Sequence, residues 1–187
     1  MQPLLVLLGI VVLIIGVIIL LYNGLVMKRQ RVNQAFADVD VQLKQRQNLI
    51  PNLVETVKGY AKHEQETFQQ VIAARNAAQH ASTAAEMSQA EGALTGALGK
   101  LFALAENYPE LKANTNFIQL QDELSAIEDK LAAARRFYNS AVQDYNTSRE
   151  QFPGSVIAGM FNFEGRDFFD LGDETRVTMS TPPEVKF

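Results

Sequence analysis

The residues with most potential for chemistry are His63 and Glu64, which begin a stretch similar to the HExxH motif of zinc proteases. In that motif two His side chains on one face of a helix bind the metal, and the Glu acts as general base. Position 67 is Thr, so the second His is missing. One His near the carboxylate of Glu66 on a polar face is typical of a solvated surface, so we predict no metal site here.

Other kinds of reactive site also lack candidate residues. No serine has a His at a position that suggests pairing for nucleophilic catalysis, and those considered are Ser82, Ser88, Ser125, Ser140 and Ser148. Gly92, Gly96 and Gly99 are not followed by the GK[ST] of a phosphate-binding loop. We therefore predict no catalytic, cofactor-binding or metal-binding residues and no cofactor, and we expect a protein that is not an enzyme.

Length and composition allow one ordinary domain and a membrane segment in the 187 residues. The net charge of −4 and the pI of about 5.2 argue against nucleic acid as a partner. There is no Cys, which excludes disulfides and thiolate sites but leaves the redox compartment open.

The N-terminal segment predicts a membrane anchor. No side chain is charged from Met1 to Met27, and Leu4 to Leu21 are all apolar or Gly. About 20 such residues cross a bilayer. A cleaved signal peptide is disfavoured because no basic residue precedes the stretch and no cleavage pattern follows it. Lys28, Arg29 and Arg31 follow at once, which places the C-terminal domain in the cytoplasm and a short N-terminus outside.

A stripe of mostly apolar residues at spacings of three and four predicts a long helix packed along other helices. Its members are Phe117, Leu120, Leu124, Ile127, Leu131, Ala134, Tyr138, Ala141, Tyr145, Ser148 and Phe152. We expect this helix to open near Pro109 and to end at Phe152-Pro153-Gly154. At 1.5 Å per residue it would be roughly 60 Å long, so the predicted domain is elongated.

Two further stripes flank Pro51, and they comprise Val32, Phe36, Val39, Leu43 and Ile50 before it and Leu53, Val57, Tyr60, Phe68 and Val71 after it. Pro51 interrupts helical hydrogen bonding, so we expect either a kink, which we favour because no Gly is nearby, or a reversal between two antiparallel helices. Thr83 and Glu86 are spaced as a capping box for a helix that runs to about Ala105. Its glycines permit close backbone approach.

Polar residues also occur on these stripes. A pair between Asp38 or Asp40 and Arg135 or Arg136 across helices would fix their register. Exposed ions at these positions would instead contribute little, and both readings stay open.

The segment after Gly154 is rich in Phe, with Phe161, Phe163, Phe168 and Phe169 close together. We favour a short helix and tail that pack on the bundle, and the alternative is an apolar surface that contacts membrane or a partner. The final STPPEVKF is expected to be extended.

Three stretches of the chain resemble the LemA family of bacterial proteins. They read YNGLVMKRQRVNQAFADVDVQLKQRQNLIPNLVETVKGYAKHE from Tyr22, AENYPELKANTNFIQLQDELSAIEDKLAAARRFYNSAVQDYN from Ala105, and QFPG at 151–154. The resemblance covers nearly the whole chain and implies one N-terminal membrane span, an antiparallel helical bundle and no catalytic residues to carry over. It also implies a function in the cell envelope, since one branch of the family is associated with magnetosome membranes. Relatives often occur near genes for membrane metalloproteases and TPM-domain proteins.

Together these observations predict an all-α protein with a transmembrane anchor at 1–27, an elongated antiparallel bundle of three to four long helices at 28–153, and an aromatic C-terminal segment at 154–187. We expect a single-pass protein of the bacterial inner membrane that forms homo-oligomers through coiled-coil-like contacts and organises or shapes the bilayer. The alternative is an adaptor that binds a membrane metalloprotease or a TPM-domain protein.

Overall fold

Every regular element in the described part of the chain, residues 2–169 of a computed structural model, is an α-helix. The elements are α1 (Gln2–Lys58), α2 (Gln65–His80), α3 (Ala84–Ala105), α4 (Pro109–Lys112), α5 (Thr115–Glu150) and α6 (Gly154–Met160). The predicted all-α class is confirmed for these residues. The extended conformation predicted for STPPEVKF falls at 180–187, outside the described range.

Helix α1 joins the predicted membrane segment and the first helix of the predicted bundle in one element of 57 residues. Its large apolar side chains are exposed from Leu4 to Ile15, and an 18-residue window of this helix is apolar enough to cross a membrane with none of it buried in the protein. Further along, buried side chains recur at helical spacing, namely Leu25, Val32, Ala35, Val39, Leu43, Ile50, Leu53 and Val57. The same helix is therefore uncovered at one end and packed at the other.

Pro51 lies inside α1, so the predicted alternative of a reversal at this residue is wrong. Proline has no N–H to donate to the carbonyl four residues earlier, which is that of Gln47. The Nε–H of Arg75 in α2 donates to this Gln47 oxygen at 2.9 Å. A side chain from the neighbouring helix thus supplies the hydrogen bond that the proline removes, and α1 continues to Lys58.

The chain reverses after α1 through residues 59–64, and α2 packs back along it, since Arg75 reaches Gln47. The predicted capping box opens α3. The Glu86 N–H donates to Thr83 Oγ1 at 3.2 Å, and the Thr83 N–H donates to Glu86 Oε2 at 3.1 Å. Both prediction and structure end this helix at Ala105.

The expectation that Pro109 opens the long helix is wrong. Pro109 begins the short α4, which ends at Lys112, and α5 begins at Thr115. The separation follows from Asn114, whose Oδ1 accepts hydrogen bonds from the N–H groups of Asn116 at 2.9 Å and Phe117 at 3.1 Å. An Asn side chain in this position satisfies donors that a helix start leaves unpaired, so it starts a new helix. The predicted C-terminal end is confirmed, since α5 stops at Glu150, directly before the QFPG motif.

The chain divides into two compact units, residues 2–38 with 136–167 (the first unit) and residues 39–135 with 168–169 (the second unit). The second unit has a continuous apolar core, formed by Ile50, Leu53, Val54, Val57, Ala61, Phe68, Val71, Ala78, Leu94, Ala97, Leu98, Leu101, Ala105, Leu111, Phe117 and Leu124. Helices α1 and α5 run in opposite directions in this unit. Asn114 donates to the Tyr60 hydroxyl at 2.9 Å, while Arg46 reaches Glu128 at 2.9 Å.

In the first unit the corresponding parts of α1 and α5 also run in opposite directions. The Phe36 and Tyr138 rings lie 5.8 Å apart, and Lys28 Nζ donates to the Asp144 carbonyl at 3.5 Å. After α5 the close approach of Gly154 to the Ser148 carbonyl turns the chain, and a Cβ at this position would collide with that oxygen. Glycine is thus required in the QFPG turn, which leads into α6 and the segment that follows it.

Candidate functional site

The stretch that resembles a zinc motif does not form one. His63 is exposed in the turn between α1 and α2, so it is not on a helix with Glu64. Glu64 precedes α2 and accepts a hydrogen bond from the Tyr108 hydroxyl at 3.5 Å. Among residues 2–169 no three His, Asp or Glu side chains come together in a way that could hold a metal ion.

A buried ionic cluster lies in the second unit, at the centre of its packed helices. Arg46 of α1 donates through Nη1 to Glu91 of α3 at 2.7 Å and through Nη2 to Glu128 of α5 at 2.9 Å. Nη2 also lies 3.0 Å from the Thr95 hydroxyl. The Arg46 and Glu91 side chains are only 4% and 3% exposed. One guanidinium therefore ties together three helices.

Two more side chains complete the electrostatics of this cluster. Gln47 Nε2 donates to the second oxygen of Glu91 at 3.4 Å, so both carboxylate oxygens have partners. Burial lowers the pKa of the Arg135 guanidinium, while the charges of Glu91 and Glu128 act to raise it. The Arg135 guanidinium also lies over the Phe169 ring, with Cζ 4.9 Å from the ring centroid. The positive charges of Arg46 and Arg135 thus match the negative charges of Glu91 and Glu128 within the unit.

This cluster is not identified in the sequence analysis. The signal is present in the spacing. Glu91 occupies a position of the buried stripe of α3, which runs Ala84, Met87, Glu91, Leu94, Leu98, Leu101 and Ala105. Arg46 likewise lies between Leu43 and Ile50 on the buried face of α1. One charge of each sign at apolar positions of two helices predicts a buried pair that fixes register.

The pairs considered from sequence are not the ones that form. Asp40 bonds to Lys44 one turn along α1, at 2.7 Å, instead of reaching Arg135. Within the first unit, no ion pair joins Asp38 to Arg136 among the described residues. The buried pair between helices is therefore Arg46 with Glu91, while Asp40 and Lys44 form an exposed pair of the kind that contributes little.

The glycines of α3 leave open space beside the helix in the described part of the chain. Among residues 2–169, no atom lies within 4 Å of a Cβ built on Gly92, Gly96 or Gly99. The three residues are exposed and lie three or four positions apart, so they share one face of α3. Among residues 2–169 this small-residue face has open space beside Gly92 and Gly96, and Gly99 borders a groove between α3 and α5.

An aromatic cluster lies at the end of the apolar segment in the first unit. The Tyr22 ring of α1 meets Phe161 at 4.8 Å and Phe163 at 5.5 Å, both edge to face. The guanidinium of Arg29 lies 5.1 Å from the centroid of the Phe163 ring. Aromatic pairs and cation–π contacts of this kind each contribute about 1 kcal/mol. The segment after α6 is thus held against α1 where the apolar stretch ends.

Hydrogen bonds attach the same segment to α5. Tyr145 donates to the Glu164 carbonyl at 2.7 Å, and Tyr138 donates to the Asp167 carbonyl at 2.8 Å. The Asn146 side chain pairs with Arg166 on both sides, donating to its carbonyl at 2.8 Å and accepting from its N–H at 3.0 Å. The segment therefore runs back along α5, antiparallel to it.

The Phe side chains of the aromatic C-terminal segment differ in burial. Phe163 and Phe169 are buried. Phe161 and Phe168 are 48% and 45% exposed. The part of the segment beyond Phe169 lies outside the described residues.

The basic residues after the apolar stretch have partners within the protein. Lys28 bonds to the Asp144 carbonyl, Arg29 stacks on Phe163, and Arg31 lies 5.4 Å from the centroid of Phe137. Each of these contacts uses only part of a long cationic side chain, and Arg31 stays exposed. They therefore help to hold the first unit together while keeping positive charge beside the apolar stretch.

Comparison with known proteins gives a consistent result. A model of the LemA family matches residues 35–187. Magnetosome protein MamQ 2 of Paramagnetospirillum magneticum is 23% identical over 197 residues, covering 90% of this chain and 72% of the relative. Protein LemA of Metamycoplasma hominis is 24% identical over 178 residues, covering 91% and 80%. Magnetosome protein MamQ of Magnetospirillum gryphiswaldense is 22% identical over 181 residues, covering 83% and 66%.

The match to the family model begins in the middle of α1 and includes the QFPG turn, the buried ionic cluster and the aromatic segment. Since it covers far more than half of the chain, this protein belongs to the LemA family.

Proposed function

We propose that this protein is a membrane-anchored helical scaffold without enzymatic activity, which self-associates and organises or shapes the bilayer that holds it. The observation that carries the proposal is α1, in which an uncovered apolar stretch continues as a packed helix with no linker. Exposed apolar surface of this length in water would be very costly. A bilayer is the environment that removes the cost.

The proposed location is the bacterial inner membrane, crossed once by residues 1–27, with the N-terminus outside and the remaining domain in the cytoplasm. Lys28, Arg29 and Arg31 support this orientation because positive charge favours the cytoplasmic side. The proposed architecture is an elongated antiparallel bundle over 28–153 with 154–187 attached to it. Similarity to proteins named for the magnetosome supports work at a membrane.

Self-association is supported by the small-residue face of α3. The absence of side chains at Gly92, Gly96 and Gly99, which lie on an open face, would let a second helix approach closely. Coiled-coil-like contact between copies along α3 is therefore the proposed mode of assembly.

Light scattering of the full-length protein in detergent or nanodiscs tests this proposal. We expect a defined oligomer for the unmodified chain and a smaller species for Gly96→Leu, because the added side chain blocks close approach while its Cβ meets no other described residue. Ala77→Leu places the same side chain on the exposed face of α2 and serves as the control. A strictly monomeric unmodified protein would contradict the scaffold proposal.

The adaptor is the second candidate because the second unit has an open groove. It has a volume of about 330 Å³ between α3 and α5, with Leu98, Phe102 and Leu124 on its walls and Arg46 and Glu128 at its polar end. An apolar groove with one charged end suits a side chain of a protein partner. The proposed partner is a membrane metalloprotease or a TPM-domain protein.

Filling the groove tests the adaptor. Ser125 lines it, so Ser125→Trp should abolish co-purification of a co-expressed protease or TPM-domain protein. Ser140→Trp makes the same change at an exposed position of α5 outside the groove. Equal recovery of the partner with both variants would refute a binding role for this groove.

A further inference from the structure

We propose that the surface formed by the QFPG turn and α6 is embedded in the lipid interface, as a second membrane contact beside the span. This inference deepens the proposed function, because it rests on α1 being a membrane anchor. Its occupant is the lipid bilayer. The surface is defined here by four exposed apolar side chains, Phe152, Val156, Met160 and Phe161, and is called the α6 face.

The length of the uncovered helix is the first argument. Nearly all large apolar side chains of α1 are exposed from Leu4 to Leu20, whereas Leu21 and Tyr22 are already partly covered. Seventeen residues span only about 26 Å at 1.5 Å per residue, and the hydrocarbon core is about 30 Å thick. If the span begins at Leu4, the hydrocarbon boundary is reached near Asn23. The residues that cover this part of α1 are then at membrane depth.

Those covering residues belong to the α6 region. Leu20, Leu21 and Gly24 of α1 line one cavity together with Phe152 and Pro153. In addition, Phe161 packs on Tyr22 at 4.8 Å. The α6 face therefore lies beside the last apolar turns of the span, within the same compact unit.

The chemistry of the segment fits an interface. No residue from Gln151 to Asn162 is charged, although Arg149, Glu150 and Glu164 flank the stretch closely. Phe152 is 84% exposed and Met160 is 65% exposed, while Ile157 and Ala158 of α6 are buried against the protein. One face of a short helix thus packs inward and the opposite face is apolar and uncovered. An uncovered apolar face of this kind beside the end of a membrane span suits the lipid interface.

The basic residues at the same level agree with this position. Lys28 lines the same cavity as Phe152 and donates to the Asp144 carbonyl, and Arg29 lies over Phe163. Cations just outside the hydrocarbon region face the phosphates of the headgroups. The α6 face enters the boundary between lipid tails and headgroups, and these cations lie above it.

Spin labels test the inference in the full-length protein, which has no Cys of its own and so accepts single labels. Phe152→Cys and Met160→Cys place labels on the α6 face. Leu13→Cys places one inside the span, and Ile72→Cys places one on α2 at another exposed apolar position. The variants are reconstituted in vesicles of phosphatidylethanolamine and phosphatidylglycerol, and label collisions are measured with oxygen, which concentrates in lipid, and with a water-soluble nickel complex.

We expect oxygen to exceed the nickel complex at positions 152 and 160, as at position 13, and the reverse at position 72. Labels at 152 and 160 that behave like position 72 would overturn the inference while leaving the anchor intact. Labels shielded from both reagents would also overturn it, since a second copy of the protein would then cover the α6 face. A label at 13 that meets only the nickel complex would instead refute the anchor and the inference with it.

Discussion

The replacement of a missing backbone donor by Arg75 leads to the sharpest prediction. Pro51 cannot donate to the carbonyl of Gln47, and Arg75 donates instead at 2.9 Å. Arg75→Met keeps much of the aliphatic side chain but removes the donor. The carbonyl of Gln47, a residue only 5% exposed, would then lack this partner.

The magnitude follows from the cost of leaving a buried acceptor unsatisfied. That cost is about 1–3 kcal/mol of unfolding free energy, and a charged donor places the bond near the upper end. Pro51→Ala restores an N–H at the position from which a regular helix bonds to residue 47. Because Pro51 is exposed, this change removes no core contact, and it should stabilise α1 by up to about 3 kcal/mol. In the Pro51→Ala background, Arg75→Met should cost about 1 kcal/mol less than in the native one.

The assay is a double-mutant cycle on the full-length protein in mild detergent, with urea unfolding followed by far-ultraviolet circular dichroism. Lys100→Met is the control, because Lys100 also donates from one helix to another, to Gln70 at 3.1 Å, but at an exposed site far from Pro51 in sequence. It should cost about 0–1 kcal/mol and show no coupling to Pro51→Ala. An equal cost of Arg75→Met in both backgrounds would refute the replacement.

Three other predictions concern single charged or ionisable groups. Glu91→Leu leaves Arg46 buried without its main partner and should cost about 3–5 kcal/mol in urea unfolding, whereas adding Arg46→Met should recover most of that loss. Hydrogen bonds from Ser82, above all from its backbone N–H, lower the pKa of Glu86. The stabilisation of the folded state by the Glu86 carboxylate is therefore present above the ordinary carboxyl pKa, and it is lost as pH falls through the folded pKa. Glu86→Gln should remove the loss of amide protection factors at the start of α3 that acid causes in the native chain, as measured by hydrogen exchange corrected for intrinsic rates. Burial raises the pKa of Tyr138. The stabilisation of the folded state by its neutral hydroxyl is therefore complete below a pH of about 10 and is lost as pH rises through the higher folded pKa. Tyr138→Phe should reduce the fall of the urea unfolding midpoint at alkaline pH.

The parts of the fold that sequence predicts well depend on local chemistry. The capping box of Thr83 and Glu86 and the end of α5 before Pro153 are confirmed because each is decided by neighbours in the sequence. The apolar stretch from Leu4 to Leu21 is likewise evident from composition alone. Its continuity with the bundle helix is not, because the change from uncovered to protein-facing residues resembles a boundary between elements.

The features that the sequence leaves open or predicts wrongly have both distant and local causes. Pro51 stays helical because Arg75 arrives from α2, and no local pattern announces that contact. Helix α5 starts at Thr115 instead of Pro109 because the Asn114 side chain caps it, through a local contact with the N–H groups two and three residues later. The ionic cluster escapes prediction unless Arg46 and Glu91 are considered as occupants of buried positions.

The attachment of residues 164–167 to α5 has a consequence for how this region can vary. The side chains of Tyr138, Tyr145 and Asn146 hydrogen-bond only to backbone groups of this segment. The side chains of Glu164, Arg166 and Asp167 are all exposed to solvent. Residues 164–167 are therefore held through their backbone and not through the identity of their side chains. Substitutions at these exposed positions can therefore change the charge of this surface without removing the hydrogen bonds that hold residues 164–167 to α5.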